Sequence, residues 1–479
     1  MNRNACWAAA SGILILACLL ASAVPLLHFN SAVTVNYNEG WNVYRSQMVA
    51  DGIPLYAAPP GLWTTNYPPL SFHIVSAVAR FVHPPVLAGR LVAFAAFVVC
   101  CLAAAGIVRA MGGSRHAAAF AGLCFYAWLA TLTPDRVVID DPQLLGLAFT
   151  ALGVLAFAKE PTPAWLATSA IGFTLGVFTK NNLIALPIAA GLMLVWQRRW
   201  RDLALWAGIG IVAAVLLLGL TILIDGPYFF AHLLRPRTTV LRQGLNKTLP
   251  FAVLFAPPFV LAALWLPQRF REPAARFLAL AIVLSLAFAV FFSLGVGVDR
   301  NVFFDALLLL AVAVALGLAH IDALLPDHRP PVNAIFAILL SLPLLPIVTT
   351  VPARAWAALA LLHDQPGREG DRANAVAVIA GQDGPAICET LLICVQAGKP
   401  LAYDTFFVAD EVGAGRMPVE PELQRIRAGY YGSIQIDASV TTAALVPPNV
   451  RFPRPLLDAI DARYRPALVT SRLTVFVRR

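Results

Sequence analysis

Apolar residues in this chain gather into long runs broken by short polar connections. Leu203–Ile224 and Phe336–Val351 contain no charged residue at all. Such runs, alone or with their flanks, reach the roughly 17 to 25 residues that an α-helix needs to cross a hydrocarbon core of about 30 Å. The pattern predicts about eleven membrane-spanning helices, near 8–29, 86–109, 117–133, 141–158, 163–179, 181–197, 203–224, 249–267, 274–296, 301–321 and 332–352. The first run, Ala5–Phe29, follows Arg3 closely. It is long and lacks a clear small-x-small cleavage site, so it reads as a retained span rather than a signal peptide.

One segment decides the sidedness of everything after it. Pro68–Val82 is apolar but short, contains His73 and Arg80, and ends at Pro84-Pro85. If it lies in the outer interface without spanning, the basic connections Arg109–His116, Gln197–Arg201 and Pro267–Arg276 all face the cytoplasm with Arg3. If it spans, they all move outside, against the positive-inside rule. The rule therefore favours a non-spanning segment and an odd number of spans.

From about Gln365 the pattern becomes that of a soluble domain. Ala386–Cys388, Ser433–Ile436 and Leu468–Val477 read as strands, and Arg372–Ala380, Pro421–Ala428 and Pro455–Asp461 as helices. The expected architecture is an all-α polytopic membrane bundle over 1–353, with an outer first loop at 30–85, followed by a small α/β extracytoplasmic domain over 354–479. The amphipathic stretch Ala355–His363 joins them.

Composition agrees with lipid as the solvent: 59% of the 479 residues are hydrophobic and 13% charged, against roughly a quarter charged in soluble chains. The net charge of +9 is scattered through short loops. After Asp364 there are 13 Lys and Arg against 12 Asp and Glu, so the surplus belongs to the membrane part and reports topology, not nucleic-acid binding. Of seven cysteines, Cys18, Cys100, Cys101 and Cys124 sit in apolar runs as small hydrophobes. Cys388 and Cys394 fall in the C-terminal domain, where an oxidising compartment would allow a disulfide. Gly112-Gly113 lacks the strand and spacing of a nucleotide-binding loop.

Against this apolar background the polar loops stand out. The first outer loop carries Asn36-Tyr37-Asn38-Glu39-Gly40-Trp41, Asp51-Gly52-Ile53-Pro54-Leu55-Tyr56 and Asn66-Tyr67-Pro68-Pro69-Leu70; the second carries Asp135, Arg136, Asp140 and Asp141. Carboxylates at the mouth of a membrane bundle are costly unless used or paired. Two such groups on one side suit group transfer, one of them taking a proton from an acceptor hydroxyl. The bland reading pairs Glu39 with Arg45 or Arg136 as a structural ion pair. Lys180, in Thr179-Lys180-Asn181-Asn182, meets a phosphate or snorkels to the interface. The outer connection 225–248 carries Arg235, Arg237, Arg242 and Lys247, a candidate anion site. Asp299-Arg300-Asn301 and Asp305 open another span from the outer side.

These motifs, with Asp140-Asp141-Pro142-Gln143 and Phe178-Thr179-Lys180-Asn181, resemble those of bacterial GT-C glycosyltransferases. Within that superfamily they are most similar to the group related to dolichyl-phosphate-mannose protein mannosyltransferases, the lipid A aminoarabinose transferase and the rhizobial core galacturonosyltransferases. The resemblance covers residues 8–305 well and the remainder loosely. It implies a polyprenyl-phosphate sugar donor, an acceptor hydroxyl on a lipid, glycan or protein, and inversion at the anomeric carbon. It also implies a catalytic acid carried onto Glu39 and a second-loop acid carried onto Asp140 or Asp141. Many relatives have an aspartate directly before the glutamate. Here Asn38 stands there, which shifts the implied base onto Glu39.

Displacement of a lipid phosphate calls for cations in a low-dielectric cleft, and Lys180, Arg235, Arg237 and Arg242 are the ones available. Asn38, Tyr67, Asn181, Asp299, Asn301 and Asp305 complete the expected substrate site. Glu39, Asp140 and Asp141 also offer the oxygen ligands that Mg²⁺ or Mn²⁺ takes, which leaves metal dependence open. A transporter or flippase uses buried charges as readily, but the chain lacks recognisable paired halves. A non-catalytic envelope-assembly protein is the other alternative. The absence of an endoplasmic-reticulum retention signal and the richness in Ala, Pro and Arg suggest a bacterial inner membrane, with the C-terminal domain in the periplasm.

Overall fold

A computed structural model describes residues 3–58, 61–324, 329–438 and 451–479. Fifteen helices precede the first strand: α1 (Arg3–Leu27), α2 (Tyr37–Ala50), α3 (Leu70–Ala79), α4 (Pro85–Ala110), α5 (Arg115–Leu132), α6 (Pro142–Phe157), α7 (Pro163–Thr179), α8 (Ala185–Trp196), α9 (Trp200–Asp225), α10 (Phe229–Leu233), α11 (Leu241–Leu254), α12 (Ala256–Gln268), α13 (Pro273–Ser293), α14 (Phe304–Leu324) and α15 (Arg329–Ala380). Their starts carry the expected signals. Asp141 and Thr162 accept hydrogen bonds from the first turns of α6 and α7, each with proline at the next position.

Each of the eleven expected spans coincides with helix, but length does not establish the count. Among the described residues five helices are long and apolar enough to cross a membrane, or up to seven if each of two bent pairs is one span. The expected span 249–267 is one of these pairs: α11 and α12 meet at 68°, and α11 starts eight residues early on a polar first turn. The second bend, 50°, lies in α15 between Ala353 and Ala355, so a single bent helix carries the chain out of the bundle. α3 has ten residues, about 15 Å of rise, or half a hydrocarbon core.

α14 is the centre of the bundle, with 94% of its apolar stretch buried, whereas α9 is 6% buried and presents its leucines outward. A helix apolar all round is stable in either place only when its surroundings are apolar too. α6 and α7 pack closely because Gly172 and Gly176 of α7, spaced as small-x₃-small, let the α7 backbone approach Gly153 and Gly146 of α6, with the Thr150 methyl filling the space over Gly176.

The C-terminal unit is a four-stranded mixed sheet of order β1-β2-β4-β3, with β1 (Ala386–Cys388) parallel to β2 (Ser433–Asp437), and β4 (Leu473–Arg478) antiparallel to both β2 and β3 (Tyr464–Val469). The single strand expected over Leu468–Val477 is a hairpin. Thr470 breaks it, its hydroxyl accepting the amides of Arg472 and Leu473. Helices α16 (Leu391–Gln396), α17 (Thr405–Gly413), α18 (Glu420–Arg427) and α19 (Arg454–Arg463) complete the unit. Cys388 and Cys394 are joined in a buried disulfide, with Cα atoms 5.8 Å apart. At the end of β1, burial and the neighbouring Asp437 push the Glu389 carboxyl up to about 7.

One buried ion pair fixes the join between α1 and the rest. Arg90 of α4 meets Glu39 of α2 through two hydrogen bonds, 2.7 and 2.8 Å, and neither side chain is exposed to solvent. The remaining guanidinium donors go to the carbonyls of His28, Phe29, Ser31 and Val33. Glu39 also accepts the Val35 amide at 2.8 Å. Every segment around the start of α2 is thus tied to one guanidinium. The partner of Glu39 is neither Arg45 nor Arg136, the two expected from sequence. Helical phase explains this: Glu39 and Val43, four apart, share the face toward α4, where Val43 packs on Val86, while Arg45 lies on another.

Removing one member of such a pair leaves an uncompensated buried charge, at a cost of about 3–5 kcal/mol. Glu39→Leu and Arg90→Met should each lower the thermal midpoint sharply, and the double variant should lose clearly less than the sum. A strictly additive cycle would show that the two groups are energetically independent. The Glu389 carboxyl binds its proton more tightly when folded than at its ordinary 4.5, so stability falls as pH rises from about 4.5 through about 7. Glu389→Gln should lack this decline in pH-resolved melting; a slope equal to the wild type contradicts the assignment.

Candidate functional site

The start of α2 places the site. Asn36 caps the helix, accepting the Asn38 amide at 3.0 Å, and its own amide group reaches Asp135 at 3.2 Å. With Glu39 turned to Arg90, the face carrying Asn38, Trp41 and Asn42 looks toward the C-terminal domain and the loops after α9 and α13. The glycine of Glu39-Gly40 has its own reason: a Cβ there would stand 2.5 Å from the Leu392 amide nitrogen, so only glycine lets α2 lie against α16.

Three adjoining cavities open at this point, and Asn38 and Gly297 line all of them. The first, about 550 Å³, has Lys180, Asn181, Arg235, Arg237 and Asn301 in a polar end and Leu233, Leu234, Phe291, Phe292, Leu294 and Val298 as apolar wall. The second, about 790 Å³, is lined by Arg242, Asn246, Lys247, Arg300 and Arg451. Asp299 and Arg136 belong to both. The third is a pocket of about 90 Å³ between α2, the 64–67 loop and α17.

A chain of charges runs along the shared wall. Arg136 pairs with Asp141 and, at 2.6 Å, with Asp299. Asp141 lies 3.8 Å from the Lys180 ammonium, which sits 3.3 Å above the Tyr67 ring centroid and has no hydrogen-bond acceptor among the described residues. Burial alone would raise the Tyr67 phenol, yet Lys180 and Arg237 outweigh it and hold it below the ordinary value. The two cations therefore set the field in the polar end of the first cavity. Arg237 has no carboxylate partner among the described residues, whereas Arg235 is neutralised by Glu411 at 2.7 Å.

The C-terminal domain closes the site through Asp404. Its carboxylate accepts the Tyr37 hydroxyl at 2.8 Å, the Trp41 indole at 3.0 Å and two amides of the first turn of α17. Arg451 lies 3.9 Å from the Tyr37 ring centroid.

Most sequence-expected residues meet here: Asn38, Tyr67, Lys180, Asn181, Arg235, Arg237, Arg242, Asp299 and Asn301 all line the cavities. Four carboxylates do not. Glu39 is closed off by Arg90. Asp140 and Asp141 line only a crevice of about 10 Å³ beside Gly89, where burial and the neighbouring Glu39 push Asp140 well above the usual carboxylate range. Asp305 is buried in the first turn of α14. Among the described residues no group of three or more His, Cys, Asp or Glu converges on a metal position. Glu39 spends both oxygens on Arg90, and Asp141 spends its own on Arg136 and the Gln143 amide, so this donor set does not fit Mg²⁺ or Mn²⁺. Sequence reading missed Asp404, Arg451 and the phenylalanines of α13. Nothing local in the sequence ties Asp404 to Tyr37, 367 positions earlier.

Residues 66–223 match the family described as dolichyl-phosphate-mannose-protein mannosyltransferase. No curated protein matches the chain in sequence. Among solved structures, ArnT from Cupriavidus metallidurans bound to undecaprenyl phosphate superposes with a TM-score of 0.62 at 15% identity, covering 97% of both chains. Its apo state gives 0.63 at 15% identity, over 98% of each. The Archaeoglobus fulgidus oligosaccharyltransferase, tethered to an acceptor peptide containing the NVT sequon, gives 0.54 at 13% identity, covering 95% of this chain and 72% of that one. A helical bundle carrying a small C-terminal sheet domain is shared end to end with ArnT and in large part with the oligosaccharyltransferase, so the chain has the fold of these proteins.

Proposed function

We propose that the protein is a membrane glycosyltransferase that moves a sugar from a polyprenyl-phosphate carrier to an acceptor hydroxyl, with inversion. The observation that carries this reading is a cavity with one apolar wall and a polar end holding two cations, Lys180 and Arg237, neither hydrogen-bonded to a carboxylate among the described residues. An isoprenoid chain suits the phenylalanine and leucine wall, and its phosphate suits the cations. That ArnT from C. metallidurans binds undecaprenyl phosphate supports the same assignment.

In the reaction so proposed, the acceptor oxygen attacks the anomeric carbon from the face opposite the phosphate. The bond from that carbon to the phosphate oxygen breaks, its electron pair stays on the phosphate, and Lys180 and Arg237 stabilise the charge that develops. The hydroxyl proton needs a carboxylate open to both larger cavities. Asp299 meets that need: its side chain is 43% exposed, it lies on their shared wall, and Arg136 orients it. We assign the base to Asp299 and give Glu39 a positioning role, because Arg90 leaves Glu39 no face toward substrate. The acceptor enters through the second cavity. A bacterial inner membrane with the C-terminal domain in the periplasm is part of this reading, supported by the Cys388–Cys394 disulfide.

With labelled polyprenyl-phosphate sugar and isolated membranes as acceptor source, Asp299→Asn should lower kcat on the order of 10²–10⁴-fold with little change in donor KM. Lys180→Met should lower kcat on the order of 10²–10³-fold and raise donor KM as well. Turnover within twofold of wild type in Asp299→Asn would remove it as the base. Movement of labelled lipid across the bilayer without transfer of sugar would replace the enzyme with a transporter.

A further inference from the structure

Arg90 holds one face of α2, and another face rests on α16 of the C-terminal domain. At Gly40 an added Cβ would come within 2.5 Å of the Leu392 amide nitrogen and 3.1 Å of the Leu391 side chain. Val43 packs with Leu392. One turn beyond Gly40, the Tyr44 hydroxyl donates to the Lys399 carbonyl at 2.9 Å. At the far end of α16, Gln396 accepts from Arg372 at 2.8 Å and donates to the Ala32 carbonyl at 3.2 Å, in the connection that leads into α2.

This seat is a helix of six residues without a side-chain cap at its start, too short to persist by its own backbone bonds. A covalent bond fastens it. Cys394 of α16 is joined to Cys388 at the end of β1, six positions earlier. Both cysteines are buried, in one apolar cluster with Trp41, Tyr44 and Met48 of α2. The bond thus links the sheet of the C-terminal domain to the surface on which α2 lies. What α2 carries matters for the site: Asn38 lines all three cavities, and Trp41 donates to Asp404. Lys180 and Arg237, assigned to the carrier phosphate, lie outside α2.

We infer that the Cys388–Cys394 disulfide is a positioning element for the transfer site: it locks α16 where α2 must rest, so that sugar transfer depends on oxidation of the C-terminal domain. The inference rests on the glycosyl-transfer reading above and adds a requirement to it. To close the bond, the two thiols give up two protons and two electrons to a partner disulfide, which is reduced to a dithiol. The reduced chain keeps its phosphate cations but lets α16, and with it the start of α2, open locally.

The full chain in lipid nanodiscs tests this, with Cys388 and Cys394 both replaced by alanine, or with the wild type reduced by a phosphine. Transfer from a polyprenyl-phosphate sugar should fall in kcat roughly tenfold to 10²-fold, as expected of small displacements away from the chemistry. Binding of undecaprenyl phosphate alone should stay within about threefold of wild type. Hydrogen exchange should quicken at the α2 amides from Tyr37 to Tyr44 and stay unchanged in α7. Gly40→Ala, which pushes α16 away with the disulfide intact, should reproduce both the kcat loss and the α2 exchange. Unchanged kcat, or unchanged exchange in α2, overturns the inference. Parallel loss of undecaprenyl phosphate binding and of protection throughout the bundle also overturns it, since the bond would then serve general stability. Absence of sugar transfer by the oxidised wild type strikes the glycosyltransferase reading instead, and the exchange comparison still decides whether the disulfide holds α2. The phosphine-reduced wild type serves should the double variant fail to fold.

Discussion

A guanidinium with no exposure to water is tolerable only if its charge and all its donors are matched, and Arg90 shows how this chain manages it. One carboxylate takes two of its hydrogen bonds and four backbone carbonyls take the others. The matching groups come from the α1–α2 connection and α2 and the guanidinium from α4, so meeting the needs of one side chain fixes three segments together. Because Glu39 is committed to that face of α2, Asn38 and Trp41 are turned away from Arg90 and toward the cavities. The position of the cavities follows from where one carboxylate points.

The same logic, relaxed, describes the cavity side. Asp299, Arg136, Asp141 and Lys180 form a row in which arginine is doubly paired and lysine is left with a carboxylate at 3.8 Å and an aromatic face. Partners are nearly sufficient at one end and short at the other. A buried cation whose donors are incompletely used is held in readiness for an anion, and in a low-dielectric setting that interaction is far stronger than in water.

Fold and site differ in how far they can be read from sequence. Helix positions follow from apolar runs, since lipid permits few alternatives to a helix. The failures lie where a local turn competes with a run: Thr470 converts an expected strand into a hairpin, and the polar turn at Arg242 to Lys247 starts α11 before its apolar stretch. At the site, cations and asparagines were legible because polar residues are conspicuous among apolar ones. The roles of the acids were not, because role depends on direction. Glu39 and Asn38 are neighbours in sequence, yet 100° of helix rotation puts one against arginine and the other in the cavities. Asp404 was illegible for a different reason, its partners lying some 360 residues away.

That separation also orders events in time. The chain is made and inserted from its N-terminus, so α2, the 64–67 loop and Lys180 are in the membrane long before Asp404 and Phe406 exist. Until α17 folds onto Tyr37 and Trp41, the small pocket lacks a wall. A nascent or truncated chain therefore carries the polar wall around Lys180 without the wall that Asp404 and Phe406 supply.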